Sequence, residues 1–179
     1  IVKVNTGTVS GLDGYRVIVE ADFSNGLPSF DLVGLPDATV RESKERVRAA
    51  IKNSGFEFPA KKAIVNLAPA DLKKEGTQFD LPIAIAVLLS TGQLKANTDD
   101  YMFIGELGLS GEIRAVNGVL SLVSGAKENG FKNTRVFIDD GFSGTNFARP
   151  AFTEIMELAE QGKIGTLIVK DHSRLGRNR

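Results

Sequence analysis

Apolar and polar residues alternate along IVKVNTGTVSGLDGYRVIVEADFSNGLPSFDLVGLP, interrupted by Gly, Asn and Pro. A period of two with turn punctuation predicts three half-buried strands, over 1–10, 15–23 and 29–35. The period then changes. Val40, Val47 and Ile51 recur at helical spacing until Gly55, and Thr39 followed three residues later by Glu42 forms a capping box. An amphipathic helix is expected there, with Arg41, Glu42, Lys44, Glu45, Arg46, Arg48 and Lys52 on its outer face. The i,i+4 pairs Arg41–Glu45 and Glu42–Arg46 suit a solvated helix surface.

KKAIVNLAP after Pro59 reads as a fourth strand. LPIAIAVLLSTG reads as a helix with Pro82 in its first turn, Asp80 as its cap and apolar residues all round, which places it centrally in the core. YMFIGELGLSGEIRAV divides at Gly-Leu-Ser-Gly into a short hairpin, and Val119, Leu122, Val123 and Ala126 carry helical spacing between Gly118 and Asn129. From Thr134 a new unit is expected: strand RVFIDD, a glycine-rich loop, helix AFTEIMELAEQ between Pro150 and Gly162, and strand GTLIVKD. Strand, helix, strand in that order fits a parallel crossover. The fold class is therefore α/β in the mixed, α+β sense, divided into domains 1–132 and 133–179 that abut without a long linker.

Composition narrows the chemistry. The 22 Lys and Arg balance the 22 Asp and Glu, so any attraction to nucleic acid must come from a local patch. The absence of cysteine removes disulfides and thiolate metal sites, and the single His172 cannot build a histidine cluster. Asp71, Asp80, Glu106 and Glu112 lack the ligand spacing of a hard-metal site and read as a cap and surface groups. No metal and no cofactor are expected. The apolar run from Ile83 to Leu89 falls far short of the ~20 residues of a membrane helix, and no charged-then-apolar leader opens the sequence, so a cytoplasmic protein without membrane contact is expected.

Three long motifs, SNGLPSFDLVGLPDATVRESKERVRAAIKNSGFEFP, VNLAPADLKKEGTQFDLPIAIAVL and FIGELGLSGEIRAVNGVL, closely resemble the N-terminal domain of ComM-type, magnesium-chelatase-like AAA+ proteins. The resemblance covers residues 1–132 and implies the fold of the Lon protease domain in a protein that handles branched DNA. Lon proteases pair a nucleophilic serine in a Gly-Pro-Ser-Ala-Gly segment with a lysine. By this resemblance Gln78, within Gly76-Thr77-Gln78-Phe79-Asp80, falls at the serine's place, and Leu120 falls at the lysine's. Neither side chain performs acyl transfer, so no peptidase activity is expected. Nor does any Gly-x-x-x-x-Gly-Lys-Ser/Thr string occur; Lys73-Lys74-Glu75-Gly76 and Gly105–Gly111 read as turns.

NGFKNTRVFIDDGFSGTNFARPAFTEIMELAEQGKIGTLIVKDHSRLGRN resembles the middle of the catalytic domain of large serine recombinases, the resolvase/invertase class, over residues 127–179. In that family the arginines of the Ser-Arg-Leu-Gly-Arg motif gather round the scissile phosphate, which guanidinium forks suit; the matching positions are Arg174 and Arg177. The family's nucleophilic serine would precede the matched stretch, where ComM-like sequence stands instead. Ser143 and Ser173 read as structural.

The chain is thus expected to be a non-catalytic accessory or oligomerisation domain of a ComM-type ATPase, fused to a recombinase fragment that acts structurally. Its partners would be an AAA+ module or further copies of itself. The alternative is a DNA-binding remnant of a recombinase, with Lys170, Arg174, Arg177 and Arg179 on phosphates.

Overall fold

The computed structural model describes residues 1–128. The strand, helix and strand expected after Thr134 lie outside the described residues.

Three strands open the chain: β1 (Val2–Ser10), β2 (Asp13–Ser24) and β3 (Ser29–Val33). Then follow α1 (Ala38–Asn53), β4 (Lys62–Ala68) and α2 (Asp80–Ser90). A two-residue hairpin, β5 (Glu106–Leu107) with β6 (Ile113–Arg114), and α3 (Val119–Glu128) complete the described part. The main sheet has the order β1-β2-β4-β3. Antiparallel pairing joins β1 to β2 and β2 to β4, while β3 runs parallel to β4 because α1 carries the chain between them. The mixed α/β class and each element expected before residue 129 are present. No described helix is long and apolar enough to cross a membrane.

The alternation read from the sequence sorts the sheet into two faces. Val4, Val17, Val19, Ala21, Ala63, Val65 and Leu67 point to one side, where Val40, Val47, Ala50 and Ile51 of α1, Ile83 and Val87 of α2, and Phe79 just before α2 close the core. Each fully buried valine or leucine there contributes about 1.5–3 kcal/mol. The opposite face of β1 and β2 receives α3. Its approach is set by missing side chains: a Cβ on Gly14 would stand 2.2 Å from the Ser121 carbonyl oxygen, and one on Gly125 would stand 2.0 Å from that of Gly14.

Three local expectations are corrected. The cap of α1 is Asp37, whose carboxylate accepts the Val40 amide at 2.8 Å, so Thr39 lies inside the helix. Asp37 stands three residues before the amide it serves, the usual reach of a capping side chain. β3 ends at Val33, two residues early, because Gly34 and Leu35 both take positive φ; a Cβ on Gly34 would also meet the Leu67 carbonyl oxygen at 2.2 Å. Asp80 is not a cap. The N-cap of α2 is Phe79, and no side chain bonds that end.

Candidate functional site

The two places that would hold a Lon-type dyad are far apart in role and surroundings. Gln78 is buried just before α2, where its side-chain amide donates to the Glu75 carbonyl at 2.7 Å and its backbone carbonyl accepts from the Gly105 amide at 3.1 Å. Gly76, at φ +91°, makes room for it: a Cβ there would lie 2.3 Å from the Gln78 Oε1. Leu120 is 63% exposed on α3. α2, which Gln78 precedes, packs on the core face of β1 and β2, whereas α3, which carries Leu120, packs on their opposite face.

A polar centre that the sequence reading missed lies beside Gln78. Asp80, completely buried at the start of α2, accepts from the Ser43 hydroxyl, from Arg46 Nε at 2.6 Å and Nη2 at 3.1 Å, and from the Leu107 amide at 3.2 Å. Arg46 also donates to the Thr39 carbonyl at 3.1 Å and lies 3.8 Å from Glu42. The side-chain hydrogen bond to Asp80 raises the Arg46 pKa above its ordinary value against the opposing effect of burial. The expected Glu42–Arg46 pair therefore exists, but Arg46 is turned inward rather than solvated; Arg41 and Glu45 form no ion pair. The signal was available in the sequence: Asp80 is the lone acid heading an apolar helix, and a buried carboxylate needs a charged, hydrogen-bonded partner. With its acceptors filled, this centre joins α1, α2 and the hairpin and has no free group for chemistry.

Lys74 is the second correction. The Lys73–Gly76 stretch was expected to be a plain turn, yet Lys74 is fully buried, with Nζ donating to the Pro69 carbonyl. Its backbone amide donates to the Leu35 carbonyl at 3.2 Å, and its carbonyl accepts from Asp37 at 3.0 Å. Burial lowers its pKa, partly offset by Asp71. Lys74 ties the loop after β4 to the entrance of α1.

Of the other expected surface groups, Glu106 lies 3.6 Å from Arg114, and Glu112 lies 2.5 Å from it while accepting from the Ser110 hydroxyl. The Ser110 hydroxyl, the backbone and Arg114 hold the Glu112 carboxyl down to about 2. Among the described residues no group of acidic or histidine side chains could hold a metal ion. A concavity of about 360 Å³ between Lys3, Leu89, Lys95 and Asp99 mixes cations with a carboxylate and brings no reactive set together. Lys170, Arg174, Arg177 and Arg179, with His172, Ser143 and Ser173, lie outside the described residues.

Comparison with known proteins gives two family matches: Subunit ChlI of Mg-chelatase over residues 19–138, and the N-terminal domain of resolvase over residues 119–179. The uncharacterized protein YifB of Escherichia coli K12 is 50% identical over 130 residues, 72% of this chain and 26% of that relative. The competence protein ComM of Haemophilus influenzae is 48% identical over 120 residues, covering 66% of this chain and 24% of its own length. An uncharacterized protein of Mycobacterium tuberculosis H37Rv is 46% identical over 125 residues. The chain thus spans about a quarter of the length of the curated relatives it matches. Both resemblances read from the motifs are found, in the expected order.

Proposed function

The chain belongs to the family of the ChlI subunit of Mg-chelatase, and from that premise we propose that it is a non-catalytic accessory domain of a ComM-type AAA+ ATPase. It works by assembly, with the ATPase module or with further copies of itself. The observation that carries this reading is the family likeness combined with the residues at the dyad places, a buried glutamine and an exposed leucine. An amide and an aliphatic chain supply neither a nucleophile nor a base. The interior around Gln78 is committed to holding α2, the 105–107 segment and α1 together, which suits a rigid platform for a neighbour.

The test is co-sedimentation of the full chain with the remaining three-quarters of Escherichia coli YifB, which carries the segments outside the match. Association is expected, together with no cleavage of casein by the chain alone. Cleavage of casein, or no association at any protein concentration, would overturn the reading.

A second reading follows from the resolvase match: a DNA-binding remnant that uses Lys170, Arg174, Arg177 and Arg179. Four cations within the last ten residues favour salt-dependent binding to phosphates. It is distinguished by Arg174→Ala/Arg177→Ala, which abolishes DNA binding if the tail is the working part and leaves assembly with the ATPase module intact.

A further inference from the structure

A concavity of about 150 Å³ lies between α1 and the segments that lead into β3 and β4. Its wall carries Arg48 and Lys52 from α1, Lys61 from the segment before β4, the ring of Phe58, and Ser29. The Ser29 amide donates to the Lys61 carbonyl at 3.3 Å, which fixes the distance between the two segments. Phe58 is itself anchored, its ring centroid 5.1 Å from that of Phe30 and 6.5 Å from that of Phe23. The Arg48 guanidinium lies over this ring, 5.0 Å from its centroid, so its plane is held by stacking.

What the stack leaves undone is the Arg48 Nε. That nitrogen is buried and has no hydrogen-bond partner. Buried polar nitrogens are nearly always paired, and leaving a charged donor without an acceptor is costly. Lys52 and Lys61 are exposed at the same opening and form no ion pair. The Ser29 hydroxyl is spent on Asp31, to which it donates at 3.1 Å, so the donors of the cavity are the three cations. Arg41 and Lys44 precede Arg48 and Lys52 at spacings of three and four residues, extending the cationic line along α1; Glu45 is the one acid that shares that stripe.

We infer that the Arg48–Lys52–Lys61 cavity is a phosphate site, in which the Arg48 guanidinium donates to a phosphate oxygen while the two lysines neutralise its charge. Guanidinium and ammonium groups converging on one concavity match a phosphate better than any neutral ligand. The phosphate is carried either by a small phosphate compound or by a nucleic-acid backbone; for the latter, Arg41 and Lys44 lie where neighbouring phosphates would follow. The inference does not rest on the ATPase reading and concerns residues absent from the recombinase-like tail.

The test uses the full chain with Lys170→Ala/Arg174→Ala/Arg177→Ala/Arg179→Ala, so that the cations of the tail do not contribute. Binding is measured for inorganic phosphate by calorimetry and for a labelled single-stranded oligonucleotide by anisotropy across a salt series. Lys52→Glu/Lys61→Glu reverses two exposed charges, Arg48→Met keeps the contact with Phe58 but removes the donor, and Lys3→Glu/Lys95→Glu makes the same charge change elsewhere. Circular dichroism confirms that each variant is folded.

Affinity is expected to fall about tenfold or more in the first two variants, with the oligonucleotide salt slope reduced by about one per lost phosphate contact. The Lys3/Lys95 variant should retain most of the affinity. Loss confined to inorganic phosphate assigns a small phosphate compound, and loss confined to the oligonucleotide assigns a strand. Absence of binding to both probes, or equal weakening by the Lys3/Lys95 variant, would overturn the site.

Discussion

Asp80 and Arg46 show how one buried carboxylate organises its surroundings. Its oxygens accept hydrogen bonds from Ser43 and Arg46 of α1 and from Leu107 of β5, two separate stretches of chain. Replacing Arg46 with Met leaves the carboxylate buried and unpaired, and breaking such a pair costs about 3–5 kcal/mol. Urea denaturation of Arg46→Met should therefore show a loss of that order, whereas Arg41→Met, at an exposed position without an ion pair, should stay within about 0.5 kcal/mol of wild type. Two titrations follow from the other charged residues. Burial lowers the Lys74 pKa, so the unfolded chain binds more protons than the folded one between its folded pKa and the ordinary lysine value of 10.5. Stability attributable to Lys74 should rise with pH through that window. Denaturation at neutral and alkaline pH should show the rise in wild type and its absence in Lys74→Met. Glu112, held down to about 2 from the ordinary 4.5, should keep its charge as acid is added until that region; carbon-detected carboxyl titration reads it directly. Its contribution to the hairpin is present above 4.5 and is lost as pH falls toward 2. Arg46 and Lys74 were poorly legible in the sequence. A lysine in KKEG and an arginine amid seven charged helix positions look like surface groups until tertiary packing decides which one turns inward.

Elements were more legible than residues, for a physical reason. Strand alternation and helical spacing are imposed by burial of one face, so Val17, Val19 and Ala21, or Val40, Val47 and Ile51, announce their element directly. Boundaries depend on single backbone conformations and were less visible: the α1 cap moved from Thr39 to Asp37, and Gly34 ended β3 early. Asp37→Ala should cost about 1 kcal/mol by loss of the Val40 amide's acceptor, measured as a shift in the denaturation midpoint. α3 depends on close approach. Gly14→Ala places a methyl group against the Ser121 carbonyl, and overpacking of this kind costs about 1–3 kcal/mol. Hydrogen exchange should show faster exchange in α3 while the β2 and β4 amides keep their protection. Equal loss of protection throughout the sheet would contradict the view that α3 is an independently docked layer.

At the scale of the molecule, the motif strings carried more than periodicity could. Periodicity gives a mixed sheet with helices; the ordered ComM-like and resolvase-like strings gave both family matches before any coordinates. The candidate site divided differently. Gln78 and Leu120 were singled out by resemblance alone, and their contrast, one buried before α2 and the other exposed on α3, came only with the structure, because sequence spacing says nothing about which face a helix covers. The Arg48 cavity was also hidden, since its components come from α1 and from two segments brought together only by the parallel β3–β4 pairing. The accessory role proposed above predicts that the chain acts through what it binds. The most direct measurement is sedimentation velocity of the full chain, alone and mixed with the unmatched three-quarters of Escherichia coli YifB. A larger complex containing both chains is expected; two independently sedimenting species at every concentration would contradict the account.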